Sequence, residues 1–219
     1  MEVMVEKIKN NLVPEIIEEL FVSKNYNHIK FLFKNLEESR KYITEYISNY
    51  TVKDILESFN IKDLEHIAAY IACFGNLDLI KYLIDRGVKN YNEMVYVASY
   101  TNHFDIVKYL IEIGTNINID NYYIIAKCAA YYGNLEIIKL LISKNVSMTY
   151  FYFDVMYISA DNGHLDIAKY IIELIDKGVI IRDEEDDDIY DIKSEYRFIL
   201  EAAKNNGHLD IVEYIDKLL

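Results

Sequence analysis

Histidine and cysteine are the residues of this chain whose side chains most readily bind metals or act as nucleophiles. They are scattered along the sequence, at His28, His66, His103, His164 and His208 and at Cys73 and Cys128. The motifs HExxH, CxxC and Gly-x-Ser-x-Gly are absent, and no glycine-rich loop is available to hold a phosphate. Two cysteines are too few for a disulfide scaffold and are typical of a reducing compartment. We therefore expect no catalytic residue, no metal site and no cofactor, and we interpret both cysteines as buried thiols.

Charge restricts the possible partners. The 23 Lys and Arg residues against 36 Asp and Glu residues give a net charge of −13. Nucleic acids and anionic lipids both attract cationic proteins, so we expect neither nucleic-acid nor membrane binding. The start of the chain, MEVMVEKIKNN, contains no apolar block of the kind found in signal peptides. No stretch of about 18 residues is free of charge, so no transmembrane helix is expected. These features predict a soluble cytoplasmic protein.

The densest charge lies in the acidic run DEEDDD at 183–188. An EF-hand calcium loop requires a central glycine, which this run lacks. Two interpretations remain, a solvated loop and a docking site for a basic partner, and the first is favoured.

A ten-residue pattern recurs five times along the sequence and defines a repeat. It reads GNLDLIKYLI (75–84), NHFDIVKYLI (102–111), GNLEIIKLLI (133–142), GHLDIAKYII (163–172) and GHLDIVEYID (207–216). Successive copies are separated by 27, 31, 30 and 44 residues. The apolar residues recur at the spacing of one helix face, and a period near 30 residues indicates a solenoid. The longer last step is due to an acidic insertion at about 179–195.

Another helix is predicted before each copy of the pattern. Each repeat is then a helix pair, in which this preceding helix is the first helix and the helix of the pattern is the second. The predicted segments are 64–74, 93–101, 123–132, 155–162 and 196–205, and alanine or serine clusters near their ends. Each of the seven glycines falls either in the turn within a helix pair or at a helix C-terminus, where Asn145 takes the same role. Gly178 comes three residues late, so the fourth copy predicts a helix one turn longer. Seven Gly and one Pro leave too few turn residues for an all-β fold.

Four lysines recur at one position of the pattern and form a regular row. They are Lys81, Lys108, Lys139 and Lys169, and each follows an acidic residue by three positions. We interpret this row as a solvated outer face with i,i+3 ion pairs, and not as a nucleic-acid site.

The repeated motifs resemble the ankyrin repeat. The family's Ala-Ala-x-x-Gly-His appears as AAYYGN (129–134) and SADNGH (159–164), and its Ile-Val-x-x-Leu-Leu as IVKYLI (106–111). The family's Thr-Pro-Leu-His tetrapeptide is absent from every copy. The short periods and the Asn-, Ile-, Lys- and Tyr-rich repeats look most like ankyrin proteins of giant DNA viruses. The resemblance implies an all-α ankyrin-repeat solenoid of antiparallel helix pairs. We expect one domain over 1–219, with 61–219 holding five recognisable repeats and 1–60 forming divergent N-terminal cap repeats.

The resemblance also implies a function and a site. Ankyrin proteins are non-enzymatic scaffolds, so we expect a monomer that binds another protein through its concave helix and loop surface. In this family the two residues before each turn glycine are variable contact positions. The candidate partner-binding residues are Phe74, Tyr100, Tyr131, Tyr132, Asp161 and Asn162. The alternative explanation for these aromatics is abundance, because the chain has 21 tyrosines. Secondary candidates in the loops are Tyr91, Tyr122, Tyr150, Phe151 and Tyr152, and some of these are expected to belong to the core. Tyr82, Tyr109, Tyr170 and Tyr214 are predicted packing residues.

One further segment supports a second functional hypothesis. LVPEIIEEL at 12–20 resembles the opening of an F-box, which docks ubiquitin-ligase scaffolds. A substrate adaptor for ubiquitin ligation is therefore the alternative function, and a plain helix is the alternative interpretation of this segment.

Overall fold

Ten α-helices make up most of the chain that the structure, a computed structural model, describes: residues 56–57, 61–149, 151–180 and 192–219. They are α1 (Ile61–Phe74), α2 (Leu77–Asp85), α3 (Tyr91–Tyr100), α4 (Phe104–Glu112), α5 (Ile119–Tyr132), α6 (Leu135–Ser143), α7 (Tyr152–Asp161), α8 (Leu165–Asp176), α9 (Ile192–Asn205) and α10 (Leu209–Asp216). These residues contain no strand. The predicted all-α class is confirmed, and the described residues contain a helix at each of the ten positions that the sequence predicts within 61–219.

Three predictions concern residues outside this described part of the chain. These are the divergent cap repeats of 1–60, apart from residues 56–57, the F-box-like segment 12–20 and the acidic run 183–188.

The second helix of each pair forms where the ten-residue pattern predicts it. In α4 the residues Ile106, Val107 and Leu110 are fully buried, because their spacing places them on the same face of the helix. An acidic residue in the first turn of each second helix lies near the positive end of the helix dipole. Asn76 and Asn134 also cap their helices, because each side-chain oxygen accepts a hydrogen bond from the backbone N–H three residues later.

A left-handed residue ends the second helix of four pairs, as predicted. At the end of α2 the Gly87 N–H donates to the Ile84 carbonyl and the Val88 N–H donates to the Leu83 carbonyl, at 2.9 and 3.1 Å. This pair of bonds requires a positive φ, which is +93° at Gly87 and +58° at Asn145 after α6. Helix α8 has 12 residues where α2, α4 and α6 have nine, so the predicted extra turn is confirmed.

The first helices begin two to four residues earlier than predicted. Helix α5 begins at Ile119, whereas the apolar pattern predicts a start at residue 123. The side chain of Asn118 explains the difference, because its oxygen accepts from the Asn121 N–H at 2.8 Å and caps the helix there. The first turn of α5 is held by this cap, and a prediction based on apolar period misses it.

The described helices fall into two compact units, which divide between Thr115 and Asn116. In the first unit α1 packs on α3 and α2 packs on α4. In the second unit α5 packs on α7, α7 packs on α9, and α6 packs on α8. Within each unit, first helices therefore stack on first helices and second helices on second helices, which is the packing of a repeat solenoid. The single domain expected over 1–219 stays a prediction.

Candidate functional site

Three histidines connect consecutive repeats at the turn within each helix pair. His103 Nε2 lies 2.9 Å from the Cys73 carbonyl oxygen. The equivalent distances are 3.0 Å from His164 to Tyr131 and 3.0 Å from His208 to Asp161. A carbonyl oxygen can only accept a hydrogen bond, so Nε2 carries the proton in each pair. These bonds hold the C-terminal ends of α1, α5 and α7, where all the candidate contact residues except Tyr100 lie.

The turn glycines provide the space that these imidazoles occupy. A Cβ built on Gly133 would lie 2.5 Å from Nδ1 of His164, and one on Gly163 would lie 2.7 Å from His208. Gly75 makes the same close approach to His103. In the sequence, one copy has Asn102 at the position of the turn glycine. The next copy has Asn134, and not a histidine, at the position that would face it. Histidine and glycine therefore form a structural pair. In the described part of the chain, no group of three His, Cys, Asp or Glu residues could hold a metal.

The structure places three of the six candidate contact residues at the surface. Tyr100 is 53% exposed and Tyr131 is 55% exposed, and Tyr132 is exposed beside Tyr131 with ring centroids 5.0 Å apart. Phe74 is half-buried at the end of α1.

The two polar candidates, Asp161 and Asn162, are half-buried and help to build their turn. The Asp161 carboxylate accepts from the Asn206 amide at 2.7 Å, and the Asn162 amide donates to the Ile158 carbonyl at 2.8 Å. Both side chains are thus already engaged in hydrogen bonds that order the end of α7.

The candidate surface extends further along the first helices than the two residues before each turn. On α3 of the first unit and on α5 and α7 of the second, exposed or half-buried side chains recur two, six and ten positions before the turn residue. We call these positions, taken on each unit by itself, the first-helix stripe. Its members are Asn92, Tyr96 and Tyr100 on α3, Tyr123, Lys127 and Tyr131 on α5, and Phe153, Tyr157 and Asp161 on α7. The i,i+4 spacing of Tyr96 with Tyr100 and of Phe153 with Tyr157 is visible in the sequence and could have identified it. In the structure these two ring pairs are 4.9 and 6.3 Å apart.

Phenol–carboxylate hydrogen bonds fix neighbouring first helices to one another. The Tyr123 hydroxyl of α5 donates to the Asp154 carboxylate of α7 at 2.5 Å. The Lys127 ammonium donates to the same hydroxyl at 3.0 Å and lies 3.8 Å from Asp154. Further along, the Tyr152 hydroxyl donates to the buried Glu195 carboxylate of α9 at 2.8 Å. These side chains are therefore held in place before any partner binds.

A groove of about 600 Å³ lies between α7 and α9 on the first-helix side of the second unit. Its lining residues are Phe153, Asp154 and Tyr157 from α7 and Glu195 and Phe198 from α9. Tyr157 and Phe198 are both exposed, although large aromatic side chains are usually buried in a monomer.

All four lysines of the row are exposed, as predicted, but three of them lack the predicted i,i+3 ion pair. Lys139 forms the expected i,i+3 ion pair with Glu136 at 3.1 Å. Lys108 instead pairs with Glu112, one turn later. Lys81 and Lys169 lie 5.4 and 4.8 Å from the ring centres of Tyr109 and Tyr214 in the following repeat. A cation above an aromatic face is attracted by the ring. For Lys81 and Lys169, the ring therefore competes with the carboxylate three residues earlier for the ammonium group.

The secondary aromatic candidates divide into three groups. Phe151 and Tyr152 are buried and fill the core at the start of α7, as expected for some members of this group, so these two are not contact residues. Tyr91 and Tyr122 are half-buried, and Tyr150 lies outside the described residues. The four predicted packing residues are all half-buried: Tyr82, Tyr109, Tyr170 and Tyr214. Burial raises the pKa of Tyr214, and the nearby carboxylates of Asp176 and Glu173 raise it further.

The two cysteines differ in their surroundings. Cys128 is buried, and desolvation raises its pKa to about 11, against a smaller opposing effect of Lys127. Cys73 is only half-buried, so the interpretation of both residues as buried thiols holds for Cys128 alone.

This difference predicts selective alkylation. Because burial raises the pKa of Cys128 to about 11, very little of it is thiolate at pH 8, and the thiolate is the reactive form. We expect iodoacetamide to modify Cys73 in the folded chain and to leave Cys128 unmodified until urea is added. Peptide mass spectrometry measures both sites, and equal rates at the two sites in the folded chain would contradict the burial of Cys128.

The chain matches the family model of ankyrin repeats in three overlapping copies, at residues 14–121, 96–183 and 126–217. Since these matches cover most of the sequence, the chain belongs to the ankyrin-repeat family. None of the described helices is both long enough and apolar enough to span a membrane.

Its curated relatives include ankyrin repeat proteins of Acanthamoeba polyphaga mimivirus. R600 is 26% identical over 157 residues, which is 63% of this chain and 49% of R600. L766 is 26% identical over 187 residues, which is 78% of this chain and 28% of L766. The predicted likeness to ankyrin proteins of giant viruses is confirmed. The chain spans about half the length of R600 and less than a third of L766.

Proposed function

We propose that this chain is a non-enzymatic interaction module that binds another protein through its first-helix stripe. Ankyrin repeats are generally protein–protein interaction modules. The observation that carries the proposal is the exposure of Tyr100 and Tyr131, each more than half accessible at the same position of its repeat. Tyrosine combines a large rigid contact area with a polar tip, and it is enriched among the residues that dominate binding energy.

Hydrogen bonds that hold the first helices in place support this assignment of the binding surface. The His164 hydrogen bond fixes the backbone at Tyr131, and the Tyr123–Asp154 bond fixes the stripe between α5 and α7. A surface ordered in advance loses less conformational entropy on binding. The second helices present a different surface, made of charged residues such as Lys108 and Lys139, and individual exposed charges contribute little to affinity.

The remaining properties of the proposed module follow from charge and from the relatives. The net charge of −13 opposes binding to nucleic acid and to anionic membranes. The relatives are viral proteins, so we propose a monomeric chain that acts on a host protein in the cytoplasm of the infected cell.

The test is a comparison of variants in affinity capture from an Acanthamoeba lysate. We expect the double variant Tyr131→Ala/Tyr132→Ala to lose the proteins that the unaltered chain retains, because truncating a central aromatic costs at least about 2 kcal/mol, or roughly 30-fold in affinity. The melting temperature should change little, since both rings are exposed. Quantitative mass spectrometry of the captured proteins provides the measurement.

Leu209→Ala is the matched control, because Leu209 is a 75% exposed apolar residue on a second helix. It should retain the same proteins as the unaltered chain. If all three chains retain the same proteins in equal amounts, the first-helix stripe is not the binding surface.

A further inference from the structure

We propose that the groove between α7 and α9 binds a partner segment in which an arginine neighbours a bulky apolar side chain. This inference rests on the proposed function and specifies the partner chemistry for one part of the first-helix face. The argument depends on the lining of the groove, on the way its carboxylates are held, and on the net charge of the chain.

The lining combines an apolar floor with two acidic groups. Phe153, Tyr157 and Phe198 contribute aromatic surface, and Asp154 and Glu195 contribute carboxyl groups. Of the described side chains that line the groove, none is cationic. Its volume of about 600 Å³ lies within the range of pockets that enclose one ligand of drug size, so a few side chains of a short segment fit and a whole domain does not.

Both carboxylates are fixed in position. Asp154 accepts from Tyr123 and lies 3.8 Å from Lys127, on the α5 side of α7. Glu195 is 8% exposed and accepts from Tyr152 through Oε1. A carboxylate that is already oriented binds a cation without the entropy cost of ordering a free side chain. Asp154 is the more accessible of the two carboxylates, with 42% of its side chain exposed, and Lys127 offsets part of its charge.

These features favour arginine over the other cationic side chains. A guanidinium is planar, hydrogen-bonds to a carboxylate through two N–H groups and stacks on aromatic faces. Tyr157 and Phe198 supply such faces beside the two acidic groups. A neighbouring apolar side chain of the partner would cover the aromatic surface that is now exposed to water. The net charge of −13 attracts a basic segment and repels an acidic one.

A random peptide library displayed on phage tests the proposal with the full chain as bait. We expect the enriched peptides to contain arginine next to leucine, phenylalanine or tryptophan, and to be depleted in Asp and Glu. Synthetic copies of these peptides should bind Phe198→Ala at least tenfold more weakly than the unaltered chain in fluorescence anisotropy. Tyr100→Ala, which removes a ring from a first helix of the other unit, is the matched control and should leave their affinity unchanged.

A double-mutant cycle tests the charge pairing itself. Asp154→Asn and Glu195→Gln each keep an oxygen that can accept from Tyr123 or Tyr152, and they remove the negative charge. We expect at least one of them to weaken an arginine peptide severalfold and to leave its Arg→Gln counterpart unaffected. Enrichment of peptides without basic residues, or equal losses for both peptides, would overturn the proposal.

Two further results separate this inference from its alternatives. If sedimentation shows a dimer that Phe198→Ala dissociates, the groove binds a second copy of the chain and the proposal is wrong. If Phe198→Ala captures the same lysate proteins as the unaltered chain while Tyr131→Ala/Tyr132→Ala loses them, the proposed function stands and the groove inference fails. Loss of lysate proteins in both variants supports both.

Discussion

Replacing Leu110 with alanine is expected to lower the free energy of unfolding by about 2–5 kcal/mol. Leu110 has no exposed surface and lies on the apolar face of α4 with Ile106 and Val107. Removing three carbons there loses their transfer free energy and leaves a cavity, because closely packed neighbours collapse only partly. Urea unfolding followed by circular dichroism measures the loss, which should appear as a lower midpoint with an unchanged slope.

Leu209→Ala provides the comparison, because the same chemical change is made at a residue that is 75% exposed. We expect a change within about 0.5 kcal/mol, as for most surface substitutions. Similar losses at Leu110 and Leu209 would contradict the assignment of the repeat core.

Replacing Gly133 with alanine is expected to cost about 2–3 kcal/mol. Its φ of +75° costs a residue with a Cβ about 1–2 kcal/mol, and the new Cβ would lie 2.5 Å from His164 Nδ1. The imidazole then has to move, and its hydrogen bond to the Tyr131 carbonyl, with a net value of about 1 kcal/mol, is lost.

Two matched variants divide this cost into its parts. At Gly87 the φ is +93° and nothing lies within 4 Å of an added Cβ, so Gly87→Ala should show the backbone cost alone. Gly133→Ala introduced into a His164→Ala chain should likewise cost about 1–2 kcal/mol, because the clash and the hydrogen bond are already absent. Simple additivity of the His164 and Gly133 changes would contradict a direct contact between them.

The second helices could be predicted from the sequence because their physics is local. The buried face of α4, the extra turn of α8 and the left-handed Asn145 all follow from apolar spacing and from the conformational freedom of Gly and Asn. The exposed aromatic positions Tyr100 and Tyr131 followed from the resemblance to a known repeat.

The remaining features depend on contacts between residues that are distant in the sequence. The bond from His164 to the Tyr131 carbonyl spans 33 positions, and the bond from Tyr152 to Glu195 spans 43. No pattern of neighbouring residues indicates either bond. From the sequence, the histidines were therefore recognised only as residues at a repeated position, and the groove between α7 and α9 was not predicted. The Lys81 and Lys169 contacts with rings of the following repeat were missed for the same reason.

Site-specific photocrosslinking tests the central proposal most directly. The photoreactive residue p-benzoylphenylalanine would replace Tyr100 or Tyr131 on the first helices, or Lys108 or Lys139 on the second helices, which are all exposed. After irradiation in the Acanthamoeba lysate, we predict covalent partner adducts from positions 100 and 131 and none from positions 108 and 139. Adducts from the second-helix positions alone would show that the partner binds the opposite side of the helix pairs, and would contradict the proposed binding surface.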